Sequence, residues 1–249
     1  MDKVNILGVW VDKVNIGEAA DKIFKMLDEN RPHMIFTPNS EILMVAYKDL
    51  KFREILNRAD MLTADGIGVV YASKILKNPI KERAAGFDIT CKVLEKVAES
   101  GHKVFFFGGK EGVGKKAKEN LEQKYPFIQI VGTRNGYFKP EEEPEIIREI
   151  NESGADLVLV CLGAPAQEKW IARNIDSLHA KVFMGVGGSL DVLAGTAERA
   201  PEFWCNHGIE WLYRLLKQPS RIGRMMALPK FALTVLFKGR RFPQEKAEG

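Results

Sequence analysis

The sequence predicts an α/β layer fold with a largely parallel sheet, followed by a basic helical appendage at the C-terminus. From the start to about residue 195, short β-branched or aromatic runs alternate with segments of helical period. This alternation is typical of parallel sheets, because parallel strands need crossover helices. Several runs are apolar throughout, as expected for strands covered on both faces. The 249 residues, 45% hydrophobic and 28% charged, suffice for a substantial core.

Strand and helix candidates follow one another in regular order along the chain. The strand candidates, rich in β-branched and aromatic residues, are VNILGVWV (4–11), HMIFTPN (33–39), DMLTADG (60–66), KVFFFGG (103–109), IQIVGTR (128–134), ADLVLVCLG (155–163) and KVFMGVGG (181–188). The helix candidates are 17–30, 40–58, 67–77, 86–100, 112–124, 142–153 and 166–178. In a Rossmann-like layered fold of this kind, ligands usually sit at the carboxyl ends of the strands.

The C-terminal segment is more basic than the rest of the chain. Residues 200–249 carry nine Lys/Arg and four Glu, a net charge of +5, whereas the whole chain has +4. We therefore expect a nearly neutral body over 1–195 and a basic appendage over 196–249, whose partner could be an anionic lipid surface, a phosphorylated ligand or nucleic acid. Within 208–237, apolar residues recur at helical spacing, which is typical either of a helix packed on the core or of one lying at an anionic interface.

Composition excludes several other classes of protein. Cys91, Cys161 and Cys205 are far apart and odd in number, so a disulfide framework or a zinc site is not expected, and a reducing cytosol fits best. The N-terminus lacks the pattern of a signal peptide, and no apolar stretch is long enough for a spanning helix. We therefore expect a protein that is neither secreted nor transmembrane.

Polar or glycine-rich sequence follows four of the strand candidates. These strand ends are TPNSE (37–41), TADG (63–66), GGKEGVGKK (108–116) and LGAPAQEKW (162–170). Because the carboxyl ends of parallel strands meet at one edge of a sheet, one cleft could be surrounded by Thr37, Asn39, Asp65, Gly108, Gly109 and Gln167.

The stretch GGKEGVGKK nearly matches a nucleotide-binding P-loop. Gly109, Gly114 and Lys115 fit, but Lys116 stands where the hydroxyl that binds magnesium should be. A glycine-rich turn before a helix N-terminus can still hold a diphosphate through backbone N–H groups, although a plain tight turn explains it equally well. No D-x-D pair is present and the histidines are scattered, so we expect no metal and no cofactor, with arginines neutralising any diphosphate.

Asp65 lies in the apolar stretch RADMLTADGIGVV and has two interpretations. It could cap the helix that begins near Ile67, or accept turn hydrogen bonds before Gly66. It could instead be a carboxylate in an apolar frame, with a pKa raised enough to take a proton from a hydroxyl nucleophile. Asp88 and Asp191 are weaker candidates, because each falls within an expected helix.

The other candidate residues also have a plain structural interpretation. Arg83 could grip phosphate, or it could be a solvated loop charge. Thr37 and Asn39 could bind sugar hydroxyls, or cap the helix that starts near Ser40. Gln167 begins a helix together with Glu168, so capping is the plain interpretation for both.

The motifs together resemble the bacterial WecG/TagA/CpsF glycosyltransferase family. They occur in order over nearly the whole chain, as TPNSE (37–41), TADGIGVV (63–70), ERAAGFD (82–88), FFFGGKEGV (105–113), LGAPAQEKW (162–170) and GVGGSLDVLAG (185–195), followed by a similar tail. Within the family, the sequence is most similar to the TagA-type N-acetylmannosaminyltransferases of wall teichoic acid synthesis.

The resemblance implies an inverting, metal-independent transfer of N-acetylmannosamine from UDP-ManNAc to undecaprenyl-diphosphate-linked GlcNAc. It implies a peripheral enzyme on the cytoplasmic membrane face, an anionic membrane surface as partner and no nucleic acid. The family's base falls on Asp65, and its substrate contacts fall on Thr37, Asn39, Arg83 and Gln167. Arginines of the appendage, which completes the active site, correspond to Arg214, Arg221 and Arg224. Backbone groups near Gly108 and Gly109 would hold the diphosphate, and a surface bared when the tail detaches could form a homo-oligomer.

Three alternatives remain open at this point. A related family member could use another UDP-sugar donor for a different cell-surface polysaccharide. The glycine-rich turn at 105–116 could belong to a nucleotide-linked oxidoreductase, although it lacks a full G-x-G-x-x-G and no acidic residue closes the next strand. The chain could also be a membrane-bound adaptor without enzymatic activity.

Overall fold

The computed structural model describes residues 2–201, 203–204, 210–217 and 227–244. The strands in these ranges are β1 (Lys3–Ile6), β2 (Val9–Asp12), β3 (His33–Phe36), β4 (Met61–Leu62), β5 (Lys103–Gly108), β6 (Gln129–Arg134), β7 (Leu157–Cys161) and β8 (Val182–Gly185). The helices are α1 (Ile16–Met26), α2 (Ser40–Lys48), α3 (Leu50–Asn57), α4 (Ile67–Ile75), α5 (Gly86–Ser100), α6 (Val113–Lys124), α7 (Glu143–Glu152), α8 (Ala166–Asn174), α9 (Ser189–Leu193), α10 (Glu210–Lys217) and α11 (Ala227–Lys238).

The predicted α/β fold with a parallel sheet is confirmed. Within the described ranges, six strands form one parallel sheet in the order β4-β3-β8-β7-β5-β6. A buried apolar cluster lies on each face of this sheet. Strands β3, β7 and β8 are buried along their whole length, which explains their continuous apolar sequence.

Two elements predicted as continuous are each two elements in the structure. The run 4–11 is not one strand but the antiparallel hairpin β1–β2, because Leu7 and Gly8 adopt positive φ and turn the chain. The predicted helix 40–58 is two helices that meet at Asp49. This residue ends α2 in an extended conformation, and its side chain accepts a hydrogen bond from the Phe52 N–H at 3.0 Å to begin α3.

The last described helix packs on the body of the protein. Helix α11 contacts α2 and α4 and buries Phe231 and Val235 in one of the two core clusters. Beyond it, Gln244 Nε2 donates to the Asn5 carbonyl at 3.0 Å. The division into 1–195 and 196–249 stays a prediction. In the part of the chain that the structure describes, no helix has the length and apolarity needed to cross a membrane.

Candidate active site

A cleft of about 770 Å³ lies at the carboxyl ends of β3, β4 and β8. It brings together four residues that the sequence predicts, namely Thr37, Asn39, Asp65 and Gln167. Much of the remaining lining comes from the segment after β8 and from α10. The cleft therefore has the position expected for a ligand site in a parallel α/β sheet.

Asp65 lies in the loop between β4 and α4. Its backbone N–H is held by the Pro38 carbonyl at 3.1 Å and the Thr63 carbonyl at 3.0 Å. The N-cap of α4 is Gly66, and no described side chain caps that helix, so the capping interpretation of Asp65 is wrong. Its carboxylate faces the cleft with about a third of the side chain exposed. The geometry allows this carboxylate to meet a ligand hydroxyl.

Arg83 lies next to Asp65 and is mostly buried. Its Nε is 3.9 Å from Asp65 Oδ1, and its Nη2 donates to Glu210 Oε2 at 2.7 Å. Burial alone would lower the pKa of Arg83, but the carboxylates of Asp65, Glu210 and Asp88 raise it above its usual value. The interpretation of Arg83 as a solvated loop charge is therefore wrong. Because this guanidinium lies beside Asp65, the surroundings of the Asp65 carboxylate are less apolar than the sequence indicates.

Thr37 and Asn39 follow β3 at the edge of the cleft. Asn39 caps α2, because its Oδ1 accepts from the Ile42 N–H at 3.0 Å. Thr37 is buried and its Oγ1 donates to the Gly185 carbonyl at 3.4 Å. A Cβ at Gly86, the first residue of α5, would lie 2.6 Å from Thr37 Oγ1, so glycine allows α5 to approach this site closely.

Gln167 connects two walls of the cleft. Its Oε1 accepts from the Gly187 N–H at 3.0 Å, and its Nε2 donates to Glu168 Oε1 at 2.9 Å. Pro165 is the N-cap of α8, and no side-chain cap bond is found at that helix within the described chain, so capping is wrong for both residues. Burial raises the pKa of Glu168, which is almost completely enclosed.

The structure does not place Gly108 and Gly109 among the described residues that line the cleft. A Cβ at Gly108 would lie 2.3 Å from the Cys161 carbonyl oxygen, so this glycine permits close packing of β5 on β7. The Gly109 N–H already donates to the same carbonyl at 3.1 Å. While that bond stands, this N–H is not available to a diphosphate, and a role for other backbone donors near these glycines stays a prediction.

Sequence reasoning missed a cluster of charged residues on the C-terminal side of the cleft. Glu198 accepts from the Tyr213 hydroxyl at 3.2 Å and pairs with Lys217 at 3.0 Å, which joins α10 to the segment after α9. Arg199 pairs with Asp88 and lies over the Phe87 ring. These contacts join positions far apart in sequence, and no spacing rule marks them. Asp191, a weaker candidate, also lines the cleft.

The predicted arginines of the appendage are only partly covered by the structure. Arg221 and Arg224 lie outside the described residues, and so does the side chain of Arg214, whose backbone belongs to α10. Their contact with substrate stays a prediction. Among the described residues, His, Cys, Asp and Glu side chains form no group of three or more that could hold a metal ion.

Comparison with known proteins gives a consistent result. The profile of the family described as "Glycosyl transferase WecG/TagA/CpsF family" matches residues 4–245. The chain is 37% identical over 210 residues to a protein of Bacillus spizizenii, covering 84% of this chain and 81% of that protein. It is 36% identical over 247 residues to a protein of Staphylococcus aureus strain MRSA252, covering 98% of this chain and 96% of that protein. Both relatives bear the name N-acetylglucosaminyldiphosphoundecaprenol N-acetyl-beta-D-mannosaminyltransferase.

Proposed function

Because the chain belongs to the WecG/TagA/CpsF family of glycosyl transferases, we propose that it transfers N-acetylmannosamine from UDP-ManNAc to N-acetylglucosamine on undecaprenyl diphosphate. The resemblance that its motifs indicate is confirmed at the level of the family. The names of the relatives support the transferred sugar and the lipid-linked acceptor. The UDP-linked donor and inversion at the anomeric carbon follow from the resemblance.

The observation that carries the proposal is the Asp65 carboxylate in the cleft, beside the Arg83 guanidinium. In the proposed reaction, the 4-hydroxyl oxygen of the acceptor sugar attacks the anomeric carbon of the donor. Asp65 takes the hydroxyl proton while the bond from the anomeric carbon to the diphosphate oxygen breaks and UDP leaves. The guanidinium, whose Nε lies 3.9 Å from Asp65 Oδ1, helps to hold this carboxylate in position.

The departing UDP carries negative charge that the site must stabilise. Arg83 lies next to Asp65 but is not among the described residues that line the cleft, so it is one nearby cation, and Arg214, Arg221 and Arg224 of the appendage are the others that the resemblance implies. Thr37, Asn39 and Gln167 border the same cleft and supply polar groups for sugar hydroxyls. With arginines in this role, the transfer needs no metal ion.

The acceptor keeps its undecaprenyl chain in a bilayer, so the enzyme must meet it at a membrane surface. We propose that the basic appendage, residues 196–249, holds the enzyme on the anionic cytoplasmic face. The described part carries Lys238, Arg240 and Arg241 at the end of α11, with Leu236 and Phe237 exposed beside them. Apolar side chains next to cations favour binding to an anionic lipid interface.

The direct test is incubation of the protein with UDP-ManNAc and a lipid-linked GlcNAc acceptor, in the presence of a chelator. We expect UDP release and a lipid carrying both sugars. If no UDP is released with or without magnesium, the transferase assignment fails, and an adaptor would give this result. Activity that the chelator abolishes and magnesium restores would contradict the role of the arginines alone. Product formation only with another UDP-sugar would identify the alternative donor.

A further inference from the structure

We propose that Glu168 is a positioning residue for this transferase, which sets the orientation of Gln167 and, through it, the cleft wall at Gly187. The inference rests on the proposed function for its kinetic consequence and on the geometry of the described residues for the rest. Glu168 does not line the cleft itself, so its effect must pass through its neighbours.

Glu168 is an unusual residue in its surroundings. Only 1% of it is exposed, and its Oε2 is a buried oxygen without a hydrogen-bond partner in the described part of the chain. Burying a carboxyl group without a full set of partners costs free energy, and an apolar residue of similar size would avoid that cost. A group of this kind therefore calls for an explanation other than packing.

The hydrogen bonds of Glu168 provide that explanation. Its Oε1 accepts from Gln167 Nε2 at 2.9 Å, while Gln167 Oε1 accepts from the Gly187 N–H at 3.0 Å. An amide side chain can rotate to exchange its oxygen and nitrogen, but here the exchange would set the amide nitrogen against an N–H donor and the amide oxygen against the Glu168 acceptor. Glu168 and the Gly187 N–H therefore favour the same one of the two amide orientations, and Glu168 holds the nitrogen end of the amide in it.

The fixed amide defines part of the cleft. Gly187 has φ of 55°, a left-handed conformation, and it belongs to the segment 186–189, which lines the cleft after β8. Gln167 also packs closely against β8, since a Cβ at Gly185 would lie 3.1 Å from its Nε2. The carbonyl of Gly185 in turn accepts from Thr37 Oγ1. Glu168 thus controls an amide that contacts both the end of β8 and the wall beyond it.

The test compares Glu168→Gln with Glu168→Leu, alone and in a Gln167→Leu background. Glu168→Gln keeps an acceptor oxygen for Gln167, whereas Glu168→Leu has a similar volume and no acceptor. We expect Glu168→Leu to lower kcat/KM at least tenfold, in line with the loss of one hydrogen bond to a charged group. Glu168→Gln should keep kcat/KM within about threefold of the wild-type value. In the Gln167→Leu background, Glu168→Leu should change kcat/KM less than about twofold, because the residue through which it acts is gone.

A second measurement does not depend on activity. Amide hydrogen exchange at Gly187 should be at least about fivefold faster in Glu168→Leu than in the wild type, and close to the wild type in Glu168→Gln. Equal exchange in all three proteins, or equal losses of kcat/KM in the presence and absence of Gln167, would overturn the proposal. If Glu168→Leu does not fold, Glu168→Asp, whose shorter side chain withdraws the acceptor, replaces it. A wild-type protein without transfer activity would sink the proposed function, while the exchange data would still decide the role of Glu168.

Discussion

Replacing Arg83 with methionine should weaken both the fold and the reaction. The guanidinium is 3.9 Å from Asp65 and 2.7 Å from Glu210, so the substitution removes a cation that lies beside both carboxylates. At an effective dielectric constant of about 20, two unit charges are worth about 4 kcal/mol at the separation of Arg83 and Asp65 and about 6 kcal/mol at the separation of Arg83 and Glu210. Partial exposure of both carboxylates reduces this to about 1–2 kcal/mol for each pair. We expect the free energy of unfolding to fall by about 2–3 kcal/mol and kcat/KM to fall about a hundredfold.

Urea unfolding followed by circular dichroism and the UDP-release assay measure the two effects. Arg83→Lys is the matched control, because it keeps the charge but cannot reach both carboxylates with one planar fork, and it should lie between the wild type and Arg83→Met. Adding Glu210→Gln to Arg83→Met should recover about 1 kcal/mol, because it removes one of the two negative charges that the guanidinium contacts in the wild type. Unchanged stability and turnover in Arg83→Met would show that Arg83 is a solvated charge and would refute the electrostatic argument.

Three further predictions concern other parts of the molecule. Gly108→Ala should destabilise the protein by at least about 3 kcal/mol in urea unfolding, because the added Cβ would meet the backbone of β7. Gly112→Ala is the control, since Gly112 also has positive φ but no described atom lies within 4 Å of its Cβ, and it should cost only about 1–2 kcal/mol. Similar losses in both variants would contradict the close approach of the strands. Truncation after residue 195 should leave a less stable body, because α11 buries apolar side chains against α2 and α4. This body should bind UDP weakly, but it should neither sediment with anionic vesicles nor catalyse the transfer. Full activity of the truncated protein would show that the tail contributes packing alone. The pKa of Glu168 is raised in the folded protein, so its contribution to stability is complete below the usual glutamate pKa of about 4.3 and is lost as pH rises through the folded pKa. Glu168→Gln should therefore become more stable than the wild type as pH rises above about 4.3. A difference in melting temperature that does not grow with pH would contradict this prediction.

The sequence predicts the sheet well, because its strands are buried on both faces. The apolar runs ending at Phe36, Cys161 and Gly185 contain little else than strand-forming residues, and their burial matches that pattern. The hairpin at Leu7 and Gly8 is not predicted, because its turn at positive φ lies within an otherwise continuous apolar run. Hydrophobic periodicity alone does not mark such a turn.

The sequence predicts the part of the candidate site that lies at strand ends, but not the contacts between residues far apart in the chain. Asp65, Asn39 and Gln167 stand at strand ends, and the rule for parallel sheets brings strand ends together. The contact between Arg83 and Glu210 joins positions 127 residues apart, and local pattern carries no information on such a pair. Of the two interpretations of Gln167, capping is wrong, because its partners are Gly187 and the adjacent Glu168, and substrate contact stays a prediction.

The most direct test of the central claim is the turnover of Asp65→Asn with UDP-ManNAc and the lipid-linked acceptor. Asparagine has nearly the same shape as aspartate but cannot accept the proton of the attacking hydroxyl. We expect kcat to fall by about two orders of magnitude or more, while the melting temperature and the affinity for UDP remain close to those of the wild type. Turnover near the wild-type value would contradict the account and leave Asp65 as a residue of the turn before Gly66.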